Sequence, residues 1–283
     1  MCSVSVIMPT YNRAGLIGRS IDSILLQDYT NFELIIVDDG STDNTKEIVR
    51  EFADPRIRYV YQKNQGACVA RNLGVSIAKG NIIAFQDSDD VWLPGKLSVQ
   101  LSNMAANGSD IDICQMRTIS ATGETLNMKP SNKLVRKGLN YPTILEANFI
   151  STQMIVAKKS VLTENKFDSL MPRFQDWDLA IRLLKRGNKL SYSKKVLVEQ
   201  YISSDSISLN GEKAYCGYSI LEKKYKTDLQ QNRKEYANFL YYKFRVCGDS
   251  LSLGERRDLL KTSIKYFPNI RNILWYCKLL AED

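Results

Sequence analysis

The sequence contains no histidine among its 283 residues. Serine–histidine and cysteine–histidine pairs that activate a nucleophile are therefore excluded, as is any metal site with imidazole ligands. Acid–base chemistry near neutral pH must then come from carboxylates, lysine, tyrosine or cysteine.

Other common signals are also missing. The six cysteines are scattered without a CxxC pair, and no apolar run approaches a membrane span of about 20 residues. The first residues lack the basic and apolar segments of a signal peptide. We therefore expect free thiols and a cytoplasmic location.

The nucleotide-binding signatures based on glycine are absent too. Neither GxGxxG nor a glycine-rich GK[ST] loop occurs, so neither a dinucleotide site of the Rossmann type nor a P-loop is indicated. The chain is 44% hydrophobic and 25% charged, with a net charge of +8. This composition provides ample core for one large domain, or for a domain with an appendage.

Apolar runs and helical spacing alternate through the first 85 residues. This alternation predicts an α/β fold with a doubly wound, mostly parallel, Rossmann-like sheet. Four strands are expected there, at Ser3–Met8, Phe32–Val37, Ile57–Tyr61 and Asn81–Phe85. Later strands are expected at Ile111–Ile119, Gln153–Ala157 and Leu197–Tyr201, and Ser120–Lys137 is expected to be a loop.

The pattern changes near residue 210 to helices rich in lysine, arginine and tyrosine. We predict a domain at residues 1–208 and a basic helical region at residues 209–283. Its basic surface could be a solvated helical face, a contact for anionic lipid at the membrane periphery, or a homodimer contact. Nucleic-acid binding would also suit these residues, but it leaves the acidic cluster described next without an explanation, so no nucleic-acid partner is expected.

An apolar run at Ile82–Phe85 leads directly into three carboxylates, Asp87, Asp89 and Asp90. Like charges this close repel each other unless a cation lies between them. Mg²⁺ and Mn²⁺ prefer oxygen ligands, usually one or two carboxylates with substrate phosphates. The alternative is a solvated acidic turn before the next helix. A position at a strand end favours the ligand site.

Two further polar clusters follow predicted strands. Pro9–Arg13 follows the first strand, and Asp38–Ser41 follows the second. Since the carboxyl ends of parallel strands share one edge of a sheet, these clusters and the acidic one should meet there. We therefore expect a single site built from all three.

These clusters, with two further motifs, resemble the family 2 glycosyltransferases of the GT-A fold. The resemblance covers roughly Ser3 to Ser208, and its motifs occur in order. They are Ser5–Arg13, Ile36–Asp43, Asn64-Gln65-Gly66 with Ala70-Arg71-Asn72, Asp87–Asp90 and Asp176-Trp177-Asp178.

The resemblance implies an inverting sugar transfer from a nucleotide-diphosphate sugar donor, usually UDP-linked, to an acceptor hydroxyl. Asp89, with Asp87, would hold Mn²⁺ or Mg²⁺, and Asp90 could share this role. Asp176 would be the general base. The residues expected at the nucleotide are Pro9, Thr10 and Tyr11 at the uridine, Asp39 at the uracil N–H, Arg71 near the pyrophosphate, and Asp87 and Ser88.

By analogy, the transferred group would be a hexosyl or N-acetylhexosaminyl unit. The acceptor would be a glycan or a lipid-linked oligosaccharide of bacterial polysaccharide biosynthesis. Gln175 stands where many relatives carry glutamate, and Ser203 where many carry a histidine that ligates the metal. A catalytically inactive module that binds a nucleotide-sugar is the alternative function.

Several of these residues also have structural interpretations. Asp39 could be a turn residue before a glycine, and Arg71 a solvated helix residue. Trp177 could contact substrate, or it could pack in the core like Trp92. Asp178 is expected to be structural, at a helix start where a carboxylate is stabilised.

Overall fold

The computed structural model describes residues 3–120, 122–202 and 210–281, and its central feature is a mixed sheet. The strands within these residues are β1 (Val4–Thr10), β2 (Phe32–Asp38), β3 (Ile57–Tyr61), β4 (Ile82–Phe85), β5 (Val91–Trp92), β6 (Ile111–Ile119), β7 (Thr125–Lys129), β8 (Ile155–Lys158) and β9 (Leu190–Tyr201).

Helices connect and cover these strands. In the part of the chain that is described they are α1 (Ile17–Leu25), α2 (Thr45–Glu51), α3 (Ala67–Ile77), α4 (Lys96–Asn107), α5 (Asn132–Lys137), α6 (Tyr141–Glu146), α7 (Lys159–Glu164), α8 (Gln175–Lys185), α9 (Gly211–Lys224), α10 (Lys226–Gln231), α11 (Arg233–Cys247), α12 (Leu253–Tyr266) and α13 (Ile270–Leu280).

The strand order is β3-β2-β1-β4-β8-β6-β9-β5, with β7 paired to β6. The four strands β1 to β4 pair in parallel, as the sequence predicts. Beyond them β8 runs antiparallel to both β4 and β6, and β6 is parallel to β9. Because the chain winds in opposite directions from β1, the space between β1 and β4 is a topological switch point, where open α/β sheets bind ligands.

The strands at the centre of the sheet are buried on both faces. All seven residues of β1 and all seven of β2 are buried, which explains their near-continuous apolar sequences. β1 continues two residues beyond the predicted end at Met8, and Pro9 within it pairs in register with Val37. The buried Glu33 of β2 accepts hydrogen bonds from the Ser5 hydroxyl and the Lys79 amide, each at 2.6 Å.

The expectation of a loop over Ser120–Lys137 is wrong. This segment contains β7, which pairs with β6, and α5, whose N-terminus is capped by the Ser131 hydroxyl. Most side chains of β7 are exposed, so the strand has no apolar face that a sequence pattern could reveal.

The last predicted strand is the end of a longer one. β9 begins at Leu190, seven residues before the predicted start at Leu197. Its first half carries Ser191 and Ser193, whose hydroxyls donate to the buried carboxylate of Asp112 at 2.7 and 2.9 Å. Because these buried residues are polar, the first half of β9 lacks the apolar pattern by which a strand is predicted from sequence.

The C-terminal helices continue the core of the α/β part. Trp177 of α8 packs against Tyr218 of α9 and Phe239 of α11, with ring centroids 5.3 and 5.7 Å apart. A smaller cluster, which includes Phe244 and Leu279, packs α12 and α13 against α11. The predicted division at residue 208 falls outside the described residues and stays a prediction.

Among the helices of the described ranges, none has the length and apolar character required to cross a membrane.

Candidate functional site

A cavity of about 680 Å³ opens at the switch point between β1 and β4. It brings together the polar clusters that follow β1, β2 and β4, as the sequence predicts. Its lining residues are Pro9, Thr10, Tyr11, Asn12, Arg13, Asp39, Asn64, Gly66, Ala67, Arg71, Asp87, Ser88, Asp89, Asp90, Gln200, Tyr201 and Lys213.

The end of β1 supplies one wall of this cavity. Tyr11 is 47% exposed and presents an aromatic ring on which a planar base could stack. Thr10 is buried, and its hydroxyl has no hydrogen-bond partner among the described residues. Asn12 adopts a left-handed conformation with φ of +50° and accepts a hydrogen bond from the Thr42 amide at 2.8 Å. The wall is therefore tied to the loop after β2.

Asp39, at the end of β2, is buried and uses both carboxylate oxygens. Its Oδ1 accepts from the Gln62 side chain at 2.6 Å and from the Gln65 amide at 2.9 Å. Its Oδ2 accepts from the Gly66 amide at 2.7 Å. A carboxylate has about four lone-pair positions, so Asp39 anchors this loop and can still accept from a ligand.

Arg71 and Asp87 form an ion pair in the cavity wall, with Nη2 2.7 Å from Oδ1. Burial lowers the pKa of Arg71, but the charges of Asp87 and, more weakly, Asp176 raise it above its ordinary value. The Nε of Arg71 is buried without a described hydrogen-bond partner. Arg71 is thus a buried, ion-paired cation in the cavity wall, not a solvated helix residue.

Asp89 is the most available carboxylate of the acidic cluster. Its only described ion pair is a long one, 3.6 Å from Oδ2 to Arg13, and its side chain is 26% exposed. Burial raises the pKa of Asp89, and the nearby charge of Asp87 adds to this effect. Ser88, between the two acids, is buried and also lines the cavity.

Asp90 has a structural role instead. Its carboxylate accepts hydrogen bonds from the Tyr201 amide, at 3.0 Å, and from the Gln153 side chain. Burial, followed by the charges of Asp89 and Asp87, raises its pKa well above the usual range. Asp90 therefore fastens the acidic turn to the end of β9, and it is poorly placed to share a metal with its neighbours.

Asp87 and Asp89 could supply part of the ligand set of a divalent cation. Within the described ranges, no group of three or more acidic, cysteine or histidine side chains is arranged to hold a metal ion. Asp87 and Asp89 each leave one oxygen without a described partner, and both side chains are about one quarter exposed. One or two carboxylates with the remaining ligands from substrate and water is the usual arrangement for Mg²⁺.

Asp176 lies in the first turn of α8 and is not among the residues that line the cavity. Its Oδ1 accepts from the Trp177 amide at 2.7 Å and from the Asn148 side chain at 3.2 Å. No described group donates to its Oδ2. Its charge contributes to the raised pKa of Arg71 in the cavity wall.

The residues beside Asp176 are structural. Trp177 is fully buried and donates from its indole to the carbonyl of Ile144 at 2.6 Å, so the idea that it contacts substrate is wrong. Trp92 is also buried. Asp178 is buried and receives hydrogen bonds from Lys224 and Tyr225 at 2.6 and 2.7 Å, in keeping with its expected structural role.

Lys213 is a lining residue that sequence reasoning missed, as are Ala67, Gln200 and Tyr201. Lys213 belongs to α9, in the region that the sequence analysis separated from the site, and its side chain is exposed. Among described residues it forms no ion pair. A lysine in a basic helical segment carries no motif that could have revealed it.

The two departures from the family pattern fall in different places. Gln175 donates from its side chain to the Met171 carbonyl at 3.2 Å, at the start of α8. Ser203, proposed to replace a metal-binding histidine, lies outside the described residues.

Comparison with known proteins gives consistent relatives. The family model described as glycosyl transferase family 2 matches residues 5–165. The Escherichia coli protein named UDP-Glc:alpha-D-GlcNAc-diphosphoundecaprenol beta-1,3-glucosyltransferase WfgD is 34% identical over 73% of this chain and 80% of its own. An uncharacterized glycosyltransferase of Rickettsia felis is 30% identical over 97% of this chain. The present chain spans only 46% of that relative's length.

Solved structures share the fold. Staphylococcus aureus TarS, residues 1–349 in complex with UDP-GlcNAc, superposes with a TM-score of 0.72 at 20% identity, covering 94% of this chain and 82% of the other. The mannosyltransferase PcManGT of Pyrobaculum calidifontis, in complex with GDP-Man and Mn²⁺, superposes with a TM-score of 0.62 at 19% identity, covering 98% and 84%. The expected GT-A type fold is thereby confirmed.

The family model matches more than half of the chain, and the motifs that it covers converge on one cavity at the switch point. The chain belongs to glycosyl transferase family 2.

Proposed function

We propose that this protein transfers a sugar, with inversion, from a nucleotide-diphosphate sugar to a hydroxyl group of a glycan or lipid-linked acceptor. UDP is the proposed nucleotide. The transferred group would be a hexosyl or N-acetylhexosaminyl unit.

The cavity at the switch point supports this function most strongly. Its volume of about 680 Å³ falls in the range of pockets that hold ligands of this size. It offers an exposed aromatic ring at Tyr11, a buried acceptor at Asp39 and a cluster of charged groups around Asp87. These are the features that a base, its polar edge and a diphosphate require. TarS, which shares the fold, has been solved with UDP-GlcNAc, and the WfgD relative is named for a UDP-glucose donor.

The charges of the cavity favour a diphosphate that arrives with a cation. Arg71 and Arg13 each already face a carboxylate of the acidic cluster, at 2.7 and 3.6 Å. Lys213 lines the cavity without a described ion pair. We propose that Lys213 contacts the diphosphate of the donor, because a mobile lysine can approach phosphate as a point charge.

A divalent cation completes this picture. Asp89, with Asp87, would hold Mn²⁺ or Mg²⁺, and a bound ion would neutralise charge on the departing diphosphate. The PcManGT structure, which shares the fold, contains Mn²⁺.

Asp176 is the proposed general base. Hydrogen bonds from Asn148 and the Trp177 amide fix one oxygen, and Oδ2 has no described donor. An oriented carboxylate with a free oxygen can accept the proton of an acceptor hydroxyl while the hydroxyl oxygen attacks the anomeric carbon and the bond from that carbon to the nucleoside diphosphate breaks. A histidine cannot be the base instead, because the chain has no histidine.

The proposed class of acceptor is based on the name of one relative. The name of WfgD specifies a sugar on diphosphoundecaprenol, which is a lipid-linked acceptor. We propose an acceptor of the same class, with the attacking group a sugar hydroxyl.

The donor site is tested by calorimetric titration of UDP, with and without Mn²⁺, on the wild type and on Asp89→Ala. We expect binding that strengthens with Mn²⁺ in the wild type and loses this dependence in the variant. Asp258→Ala, an exposed acid on α12, is the matched control and should bind as the wild type does.

The absence of UDP binding under both conditions would overturn the uridine assignment. UDP binding without turnover of any UDP-sugar, with or without a lipid-linked acceptor, would favour the inactive binding module instead. Hydrolysis or transfer that releases UDP, abolished in Asp89→Ala, supports the enzyme.

A further inference from the structure

Helix α13 is apolar on two opposite sides. Its inner side carries the buried Leu279, with Trp275 and Tyr276 packed against the same cluster. Its outer side also carries large apolar residues, although an ordinary surface helix presents polar groups there. The outer face of α13 consists of Ile270, Ile273, Leu274, Cys277 and Leu280, which recur at intervals of three, one, three and three residues.

This outer face is strongly exposed. Ile270 is 77% exposed, Leu274 63% and Leu280 48%. Phe267, three residues before the helix, is 39% exposed. Single exposed apolar side chains need no explanation, but a contiguous set of this kind marks an interaction site.

The surroundings of the outer face are basic. Lys278 lies one turn after Leu274 and is exposed. Its ammonium group and the Arg245 guanidinium each lie 5.0 Å from the ring of Trp275, which packs against Phe244 on the inner side of the helix. The ammonium group of Lys234 lies 5.6 Å from the ring of Phe267. Between residues 233 and 281 there are ten lysines and arginines and four acids, and α13 itself has no acid.

We propose that the outer face of α13 docks on the surface of an anionic phospholipid bilayer. The apolar side chains would enter the boundary between head groups and acyl chains, and the flanking Lys278, Arg245 and Lys234 would contact lipid phosphates. An exposed apolar helix face flanked by basic residues is the pattern of a helix that lies in the membrane interface.

Charge complementarity favours an anionic bilayer over a second copy of this chain as the partner of the outer face. A second copy of this chain on the same face would bring two basic rims together, and like charges across an interface are unfavourable. An anionic bilayer supplies both an apolar layer and negative charge. This contact goes beyond the proposed sugar transfer, since it requires neither the donor cavity nor Asp176.

The test is sedimentation of the full chain with lipid vesicles. Vesicles of phosphatidylcholine alone are compared with vesicles that contain phosphatidylglycerol, for the wild type and for Ile270→Asp combined with Leu274→Asp. We expect binding to anionic vesicles only, and a partition coefficient at least about tenfold lower in the double variant. Lys278→Ala should lower it roughly fivefold.

Leu26→Asp is the matched control, because Leu26 is 80% exposed on a different surface after α1. It should bind vesicles as the wild type does, and circular dichroism should give all variants the same melting curve. Equal binding of the wild type and the double variant, or no binding of the wild type to anionic vesicles, would overturn the proposal. So would a dimer in light scattering that the double variant dissociates, because the occupant would then be a second copy.

Discussion

At the level of single residues, the acids of the site differ in which of their oxygens are already used. Asp39 and Asp90 receive hydrogen bonds on both oxygens and hold loops in place. Asp87, Asp89 and Asp176 each keep one oxygen free of described donors. A free oxygen is what a metal ion or a departing proton requires, so these three are the acids to which we assign chemistry.

Substitution of Asp176 tests the proposed base. Asp176→Asn keeps the shape of the side chain but removes a basic oxygen. We expect kcat to fall by roughly 10²- to 10⁴-fold, with the donor KM within a few-fold of the wild type. Steady-state release of UDP from the donor–acceptor pair measures both constants. Asp258→Asn on α12 is the control, and a kcat within a factor of a few for Asp176→Asn would contradict the assignment.

Lys96 gives a prediction about stability and pH. This lysine is fully buried, its Nζ donates to Gln100 at 2.6 Å, and it lies 4.3 Å from the ring of Trp92. Burial lowers its pKa from 10.5 to about 8, while nearby Cys114 and Asp112 oppose the shift. The folded state therefore binds fewer protons than the unfolded state between these two values.

The sign follows from proton linkage. Stability rises with pH wherever the unfolded state binds more protons, so this lysine should add about 2 kcal/mol between pH 7.5 and 10. Lys96→Met removes the titration. We expect the difference in unfolding free energy between wild type and variant to shift by that amount in favour of the wild type as the pH rises. Urea denaturation at both pH values measures it, with exposed Lys223→Met as control. A constant difference would contradict the lowered pKa.

At the level of elements, α9 connects the helical region to the donor cavity. Its first turn follows Asn210, whose side chain accepts from the Lys213 amide at 2.8 Å and caps the helix. This cap fixes the start of the helix. Lys213 in its first turn lines the cavity, whereas Lys223 lies almost three turns further along the same helix. The two lysines therefore share an element but not an environment.

This difference supports a paired experiment. Lys213→Ala should weaken UDP binding by roughly two- to fivefold, since an exposed charge pair contributes modestly. The loss should shrink in high salt, which screens the interaction. Lys223→Ala should leave the affinity unchanged. Calorimetry at two salt concentrations measures both, and equal affinities for the two variants would exclude Lys213 from the donor site.

For the whole molecule, the most informative feature is the shared core of the α/β part and the C-terminal helices. Phe239 of α11 is buried against Trp177, Tyr218 and Tyr236, with ring centroids between 5.2 and 6.3 Å apart. Trp177 belongs to the helix that presents Asp176. We infer that the C-terminal helices support the position of the proposed base.

Phe239→Ala tests this coupling. We expect a loss of about 3–5 kcal/mol in unfolding free energy, because a large buried ring leaves a cavity. Tryptophan fluorescence and far-ultraviolet circular dichroism should report one common transition during urea denaturation. Phe267→Ala, at an exposed phenylalanine, should cost about 1 kcal/mol or less. Two separate transitions, with only one shifted, would show that the helices fold independently.

The parts of the fold that could be predicted are those with a strong local signal. The apolar runs of β1 and β2 are buried on both faces, so their composition alone predicts central strands. β7 and the first half of β9 could not be predicted, because exposed residues in one and buried serines in the other give no alternating pattern. The same holds for the site. The acids at strand ends could be predicted from the sequence, whereas Lys213 could not.

The sequence by itself determined the parallel strands β1 to β4 and the meeting of their polar clusters, since parallel strands place their carboxyl ends at one edge. It also excluded imidazole chemistry, because histidine is absent. Only the tertiary structure decided how each acid is used. The hydrogen bonds to Asp39 and Asp90, and those from Lys224 and Tyr225 to Asp178, come from residues between 23 and 111 positions away along the chain, and no local pattern encodes them. The exposure of one face of α13 is likewise a property of packing, because the same apolar spacing in a buried helix would be core.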